Sequence, residues 1–497
     1  MPDHVDVLIV GAGLSGIGAA VHLQTSSPDR TYEVLEARDA VGGTWDLFRY
    51  PGIRSDSDMY TLGYSFKPWL SSQGIADGPS ILAYVRETAE EHGVMERIRF
   101  RTKVVAAAWS TADGRWTVTT EDTTTGEQST RTCLFLFLCA GYYRYDEGYT
   151  PEFPGVDEFG GTLVHPQHWP EDLDWSGKRV VVIGSGATAV TLVPAMADDA
   201  AHVTMLQRTP TYIAPAPSVD RIASALYGRL PDPVVSSVVR WKNVLRSSGY
   251  YQLSRRRPEL LKKLVAKEQS RHLPEGFDMA HLTPPYDPWD QRFCLVPDGD
   301  LFRVLKDGSA DIVTGRIGTF TSAGIRLEDG RELEADVVVT ATGLQLLAIG
   351  GVQLVVDDEP VVLSETVGWK GMMFSGVPNL AVSVGYTNAS WTLKCDLICS
   401  FVTRLLNRMR DEDLDVVVPV WGEAQLPDVP FLDLTSGYVQ RSIGDFPRQG
   451  QRAPWRVHQN YVKDLALFRW GRVFEGLELR RLPRGARADV RVEELVG

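Results

Sequence analysis

The chain has 497 residues, 43% hydrophobic and 23% charged: too long for one hydrophobic core, and with a balance that excludes disordered and fibrous classes. Lys and Arg number 51 against 64 Asp and Glu, and the net charge of -13 disfavours a broad basic surface of the kind nucleic acid requires. Cys133, Cys139, Cys294, Cys395 and Cys399 are too few and odd in number for a disulfide framework, which suits a reducing cytoplasm.

The N-terminus shows no basic cluster ahead of an apolar signal core; the run Val5–Ile9 is instead a short strand. It opens a strand, turn, helix, strand unit over residues 5–36, with the turn Gly11-Ala12-Gly13-Leu14-Ser15-Gly16, an Ala-rich helix and then Tyr32–Glu36. Gly11 permits the tight turn, Gly13 lets the backbone approach a pyrophosphate, and Gly16 lets the helix pack on the strand. Amides at the helix N-terminus can face phosphates, and Glu36, twenty residues past Gly16, can accept hydrogen bonds from ribose hydroxyls.

Lys103–Ser110 and Arg115–Thr120 alternate as strands, and Cys133–Leu138 is a buried strand that returns to the first sheet and ends in Cys139-Ala140-Gly141. The apolar run Cys133–Ala140 is far shorter than the ~20 residues a membrane helix needs. Residues 179–208 repeat the first unit as strand Arg179–Ile183, turn Gly184-Ser185-Gly186-Ala187-Thr188-Ala189, helix, and strand Val203–Gln207. Here the spaced carboxylate is missing. Arg208-Thr209 stands in its place, and an arginine suits a 2'-phosphate that a carboxylate would repel. The first loop is therefore read as a site for FAD and the second as a site for NADPH.

Residues 220–275 interrupt the pattern with helical periodicity at Ile222, Leu226, Leu230 and at Leu260, Leu261, Leu264, and with the basic runs Arg255-Arg256-Arg257 and Lys262-Lys263. They read as an inserted helical segment with a solvated outer face; the alternative, peripheral membrane contact, needs a large apolar face as well. Asp336–Thr340 then forms a second apolar strand ending in Ala341-Thr342-Gly343, symmetric with the first. A disulfide reductase would share the two loops but needs a redox pair such as Cys-x-x-Cys; Cys395 and Cys399, i and i+4 on an apolar helix, read as core.

The segment Phe159-Gly160-Gly161-Thr162-Leu163-Val164-His165-Pro166-Gln167-His168-Trp169-Pro170 matches FxGxxxHxxxWP at every position. On that fingerprint the chain resembles the type I Baeyer-Villiger monooxygenases of the flavin-containing monooxygenase superfamily. Gly42-Gly43-Thr44-Trp45, Arg49-Tyr50-Pro51-Gly52 followed by Asp56, and Gln207-Arg208-Thr209-Pro210 extend the likeness over nearly the whole chain. Within that family it is most similar to the actinobacterial ethionamide-activating monooxygenases, through Gly43-Thr44-Trp45-Asp46-Leu47-Phe48, His165–Leu173 and Gly385-Tyr386-Thr387-Asn388-Ala389-Ser390-Trp391. Cys139-Ala140-Gly141 departs from the commoner Ala-Thr-Gly, a conservative exchange.

The resemblance implies an α/β fold with two Rossmann-like dinucleotide-binding domains, for FAD and NADP, and an inserted helical segment. Residues 1–150 would start the FAD domain, 151–215 and 276–340 form the NADP domain, 216–275 the insertion, and 341–497 the return to the FAD domain with a substrate-pocket segment. Cofactor contacts would extend to Ser15, Gly43, Thr44, Trp45, Asp46, Leu47, Arg54, Ser55, Asp56 and Val104, and in the second unit to Ser185, Ala187, Thr188, Ala189, Val190 and Thr209. Phe159, Gly161, His165 and Trp169 would couple cofactor movement to catalysis as a linker into the second domain.

The implied reaction inserts one oxygen of O2 beside a ketone carbonyl through an FAD C4a-peroxide, with sulfides and thioamides as further substrates. Arg292 would hold the peroxide anionic and Asp56 would position it, a permanently charged guanidinium being suited to that task. Read without the resemblance, Arg292 is an ordinary surface ion-pair partner, Asp56 a helix cap within Ser55-Asp56-Ser57-Asp58, and His165 a structural hydrogen-bonder. Two other functions share these features: a flavin monooxygenase restricted to nitrogen and sulfur, and a non-catalytic flavin-binding module. Gly385–Trp391 and Gly437–Arg456 are candidate pocket walls, no metal centre is expected, and the sequence is silent on oligomeric state.

Overall fold

The computed structural model describes residues 3–432 and 434–483; Asp433 and residues 484–497, the end of the expected C-terminal segment, lie outside the described residues. The first of two large sheets has the strand order Glu359–Pro360, Gln353–Val356, Thr102–Ser110, Arg115–Asp122, Gln128–Leu138, His4–Val10, Tyr32–Leu35, Ile98–Arg99, and Leu380–Val382 also pairs with Gln128–Leu138. His4–Val10 runs parallel to both neighbours, so Cys133–Leu138 does return to the first sheet. The second sheet has the order Ala310–Thr314, His202–Gln207, Arg179–Ile183, Val337–Thr340, Thr162–Val164, every pair parallel. A parallel sheet is covered on both faces, so its central strands are unbroken apolar runs. Val180, Val181, Val182, Val337, Val338 and Val339 are all 1% exposed or less, and burying each side chain contributes roughly 1.5–3 kcal/mol.

Each glycine loop turns against the end of a neighbouring strand. Gly11 has φ +102° and a Cβ there would lie 2.7 Å from the Cys139 carbonyl oxygen; Gly184 has φ +137° and its Cβ would lie 2.3 Å from the Ala341 oxygen. The symmetry of the two strand endings has this cause: each carbonyl abuts a residue that must carry no side chain and must sit at positive φ.

Two crossovers join the sheets and pair with each other. Tyr143 bridges Leu346; the Arg144 amide donates to the Gln345 carbonyl at 2.9 Å, the Leu347 amide to Tyr142 at 2.9 Å and the Tyr149 amide to Gly343 at 3.1 Å. The helix Trp391–Asp411 packs on the first loop helix, Leu14–Ser26, sharing one core through Ile398, Phe401, Val402 and Leu405 with Ile17 and Val21.

The insertion is helical as expected, in Arg221–Leu226, Asp232–Arg256 and Pro258–His272. Its outer face is exposed to solvent, and it carries apolar side chains beside the basic runs. The inner face of Asp232–Arg256 buries Val235, Val239 and Val244, but the outer face is apolar as well, with Val234, Val238, Trp241 and Leu245 exposed by 49%, 48%, 41% and 59%. Apolar residues on opposite faces cancel the one-sided pattern by which an amphipathic helix is recognised. The fingerprint segment also differs from a plain linker, because Thr162–Val164 is an edge strand of the second sheet. Among the described residues no helix is long and apolar enough to cross a membrane.

Candidate active site

A cavity of about 1310 Å³ lies where the two glycine loops face each other, larger than the ~300–1,000 Å³ of an ordinary small-ligand pocket. Gly11, Gly13, Ser15, Glu36, Gly43, Thr44, Trp45, Arg54, Ser55, Asp56 and Val104 line it from the first unit; Gly184, Ser185, Gly186, Ala187, Thr188, Val190, Arg208 and Thr209 line it from the second. Four of the expected contacts do not reach the wall. A Cβ on Gly16 would lie 1.8 Å from the Gly11 carbonyl oxygen, so that glycine holds the helix to the loop. Ala189 is wholly buried in the second loop helix, Ala187–Ala197, and Leu47 ends the short helix Thr44–Leu47. Asp46 is buried and turned away, accepting from Arg38 Nη2 at 2.6 Å and Arg49 Nη2 at 2.9 Å.

Both loop helices begin at a glycine, Gly13 and Gly186, with no side chain capping their amides and no acidic residue in the first turn. The free N–H groups and the positive end of each helix dipole are left to act on an anion inside the cavity. Glu36 is held in place by the Ala12 amide, which donates to its Oε2 at 2.6 Å, and the Arg38 amide, which donates to Oε1 at 2.9 Å. Burial pushes its pKa up. The exposed Arg208 has no ion-pair partner among the described residues, a guanidinium available to a phosphate.

Arg292 and Asp56, 236 residues apart in the chain, meet on the same wall: Arg292 Nε donates to Asp56 Oδ2 at 2.9 Å and Nη2 lies 2.5 Å from that oxygen. About a third of each side chain, 32%, is accessible, and both residues line the cavity. The Asp56 carboxylate raises the Arg292 pKa well above the ordinary arginine value, with smaller contributions from Tyr143, Tyr438 and Tyr142, which ring the pair. The cap in this stretch is Asp58, which accepts from the Thr61 amide at 3.0 Å to start the helix Met59–Leu62; Asp56 is the partner of Arg292 instead. Arg54, beside them, is tied to Asp300.

None of Phe159, Gly161, His165 and Trp169 lines the cavity. Phe159 packs on Phe320, Gly161 abuts the Asp336 carbonyl, and Trp169 meets Trp175 edge to face. His165 lies over Gly148, its Nδ1 accepts from the Gln167 amide at 3.1 Å, and burial lowers its pKa, so its imidazole is uncharged at neutral pH. The segment reaches the site through Gln167, whose Nε2 donates to the carbonyls of Arg144 and Tyr145 at 2.9 and 3.0 Å, and through His168, whose Nε2 lies 3.1 Å from the Asp146 carbonyl oxygen; Arg144, Tyr145 and Asp146 all line the cavity. From the C-terminal half, Tyr386, Ala389, Trp391, Ser436, Gly437, Tyr438 and Arg441 complete the wall. Trp391 Nε1 donates to Ser15 Oγ at 2.9 Å, and Ser15 lies 3.3 Å from Cys395 Sγ. All five cysteines are free and buried, and burial pushes the Cys395 thiol up to about 11, the chemistry of a core residue and not a redox centre.

Residues 75–347 match the model of flavin-binding monooxygenase-like proteins, and residues 9–71 that of NAD(P)-binding Rossmann-like domains. The chain belongs to the flavin-binding monooxygenase-like family. It is 54% identical over 486 residues to the FAD-containing monooxygenase EthA of Mycobacterium tuberculosis, covering 97% of this chain and 99% of that one. Two solved structures share the fold: a steroid monooxygenase bound to NADP, with TM-score 0.76 at 22% identity over 96% of this chain and 100% of the other, and a cyclohexanone monooxygenase bound to ε-caprolactone, with TM-score 0.71 at 20% identity over 96% and 100%. As a flavin-binding monooxygenase, the chain has the fold class read from its two loops.

Proposed function

We propose that this enzyme is a Baeyer-Villiger monooxygenase, converting a ketone, O2, NADPH and a proton into an ester or lactone, NADP+ and water, with sulfides and thioamides oxidised at the same site. The observation that carries the reading is the Arg292–Asp56 pair on the wall of the cavity into which both loops open. Bound FAD, reduced by NADPH, supplies the electrons that activate O2. The chain does the rest. Amides of Leu14–Ser26 hold the FAD pyrophosphate and Glu36 its ribose, while amides of Ala187–Ala197 hold the NADPH pyrophosphate and Arg208 its 2'-phosphate. Arg292, oriented by Asp56 and unable to give up its proton, stabilises the negative charge on the attacking oxygen and then on the former carbonyl oxygen. The surrounding tyrosine rings leave about a third of its side chain accessible, 32%, so that charge acts more strongly than it would in bulk water.

A mass screen for oxygen insertion, with NADPH and a linear ketone, an aryl ketone and an aryl sulfide, tests the reading. Esters from the ketones are expected. Sulfoxide alone would leave a heteroatom oxygenase, and yellow protein that never oxidises NADPH would leave a flavin-binding module.

The nucleotide assignment has its own measurement. Arg208→Ala removes a charge-assisted contact of ~1.5–3 kcal/mol, so the KM for NADPH should rise about 10- to 100-fold while that for NADH barely moves. An unchanged preference between the two would refute the role of Arg208.

A further inference from the structure

We infer that the outer face of the inserted helices docks on a membrane surface rich in anionic lipid. Val234, Val238, Trp241 and Leu245 follow i, i+4, i+7, i+11 along Asp232–Arg256, which puts them within about 60° of arc over ~16 Å of axis. All four point away from the buried face and are 41–59% exposed. The patch abuts a second helix, Tyr461–Trp470, where the Trp241 and Tyr461 rings lie 6.0 Å apart. An apolar stripe with an outward tryptophan is what inserts into the headgroup boundary of a bilayer.

Charge selects the occupant. Residues 220–275 hold 12 Lys and Arg against 5 Asp and Glu, inside a chain of net charge -13. Exposed Arg256, Arg257, Lys263 and Lys267 have no ion-pair partner among the described residues. A second copy meeting this face through two-fold symmetry would set one basic segment against another, whereas anionic headgroups complement it. The outward face of Pro258–His272 alternates Leu260 and Leu264 with Lys263 and Lys267, so apolar insertion and cationic contact are offered by one surface.

Flotation of the flavin-loaded enzyme with vesicles of phosphatidylglycerol mixed with phosphatidylcholine, against vesicles of phosphatidylcholine alone, tests this. Binding is expected only to the first, weakening with salt. Trp241→Ser with Leu245→Ser, and separately Lys263→Glu with Lys267→Glu, should each weaken partitioning at least about tenfold. Flavin absorbance and NADPH oxidation in solution should stay unchanged in both, showing that each variant folds. No binding to phosphatidylglycerol vesicles, or binding that both variants retain, overturns the proposal. So does a wild-type dimer that ignores vesicles and becomes monomeric, by sedimentation, in the serine variant.

Discussion

Arg292→Ala should bind FAD and consume NADPH at close to the normal rate, yet release hydrogen peroxide in place of ester. Arg292 lies outside both glycine loops, so cofactor binding should be kept, but the charge that stabilises the attacking oxygen is gone. Removing one preorganised donor to a developing oxyanion costs about 10²–10³ in rate, and ester formation should fall by at least that. The variant also leaves Asp56 without its counter-ion on a partly buried wall, so stability must be followed in parallel. Arg292→Ala combined with Asp56→Asn removes both charges and should recover much of the thermal stability without recovering ester. Arg292→Lys, a point charge that cannot span the same two contacts to Asp56, should give partial coupling. Normal ester formation by Arg292→Ala would remove the proposed role.

The other large effect is on the flavin. Gly16→Ala places a methyl 1.8 Å from the Gly11 carbonyl oxygen and 2.9 Å from its carbon, both backbone atoms with nowhere to move. Overpacking a core costs ~1–3 kcal/mol when neighbours can yield; here they cannot, and the loop itself must deform. The purified variant should be largely colourless, with a lowered Tm. Gly186→Ala is the control, since nothing lies within 4 Å of a Cβ there. It should keep its flavin and its Tm, and lose affinity for NADPH because the methyl stands in the second nucleotide's space. Full flavin content in Gly16→Ala would contradict the packing argument.

Local spacing made the nucleotide loops legible: strand, glycine turn, helix and acid or arginine fall within some thirty residues, and the physics of a phosphate cradle fixes their order. The site chemistry was not local. Asp56 and Arg292 are 236 positions apart, and only likeness to a family pointed to them; the tyrosines that ring them, Tyr142, Tyr143 and Tyr438, carry no sequence signal because a crossover and a distant loop bring them together. Gln167 stood unremarked inside the fingerprint, yet its side chain bonds two residues of the cavity wall. The apolar stripe on the long inserted helix was hidden for a different reason, since a helix apolar on two faces has no dominant side.

The strand orders also set a timetable for synthesis. Every strand of the second sheet comes from one uninterrupted stretch, Thr162–Thr340, so that sheet can close as soon as Thr340 has left the ribosome. The first sheet begins with His4 but waits for Gln353–Val356 and Leu380–Val382, and until then the Gln128–Leu138 strand lacks one of its partners. The nascent chain therefore finishes its inner module while the outer one is still open, and a ribosome stalled between these points would display one open edge of an apolar strand to chaperones.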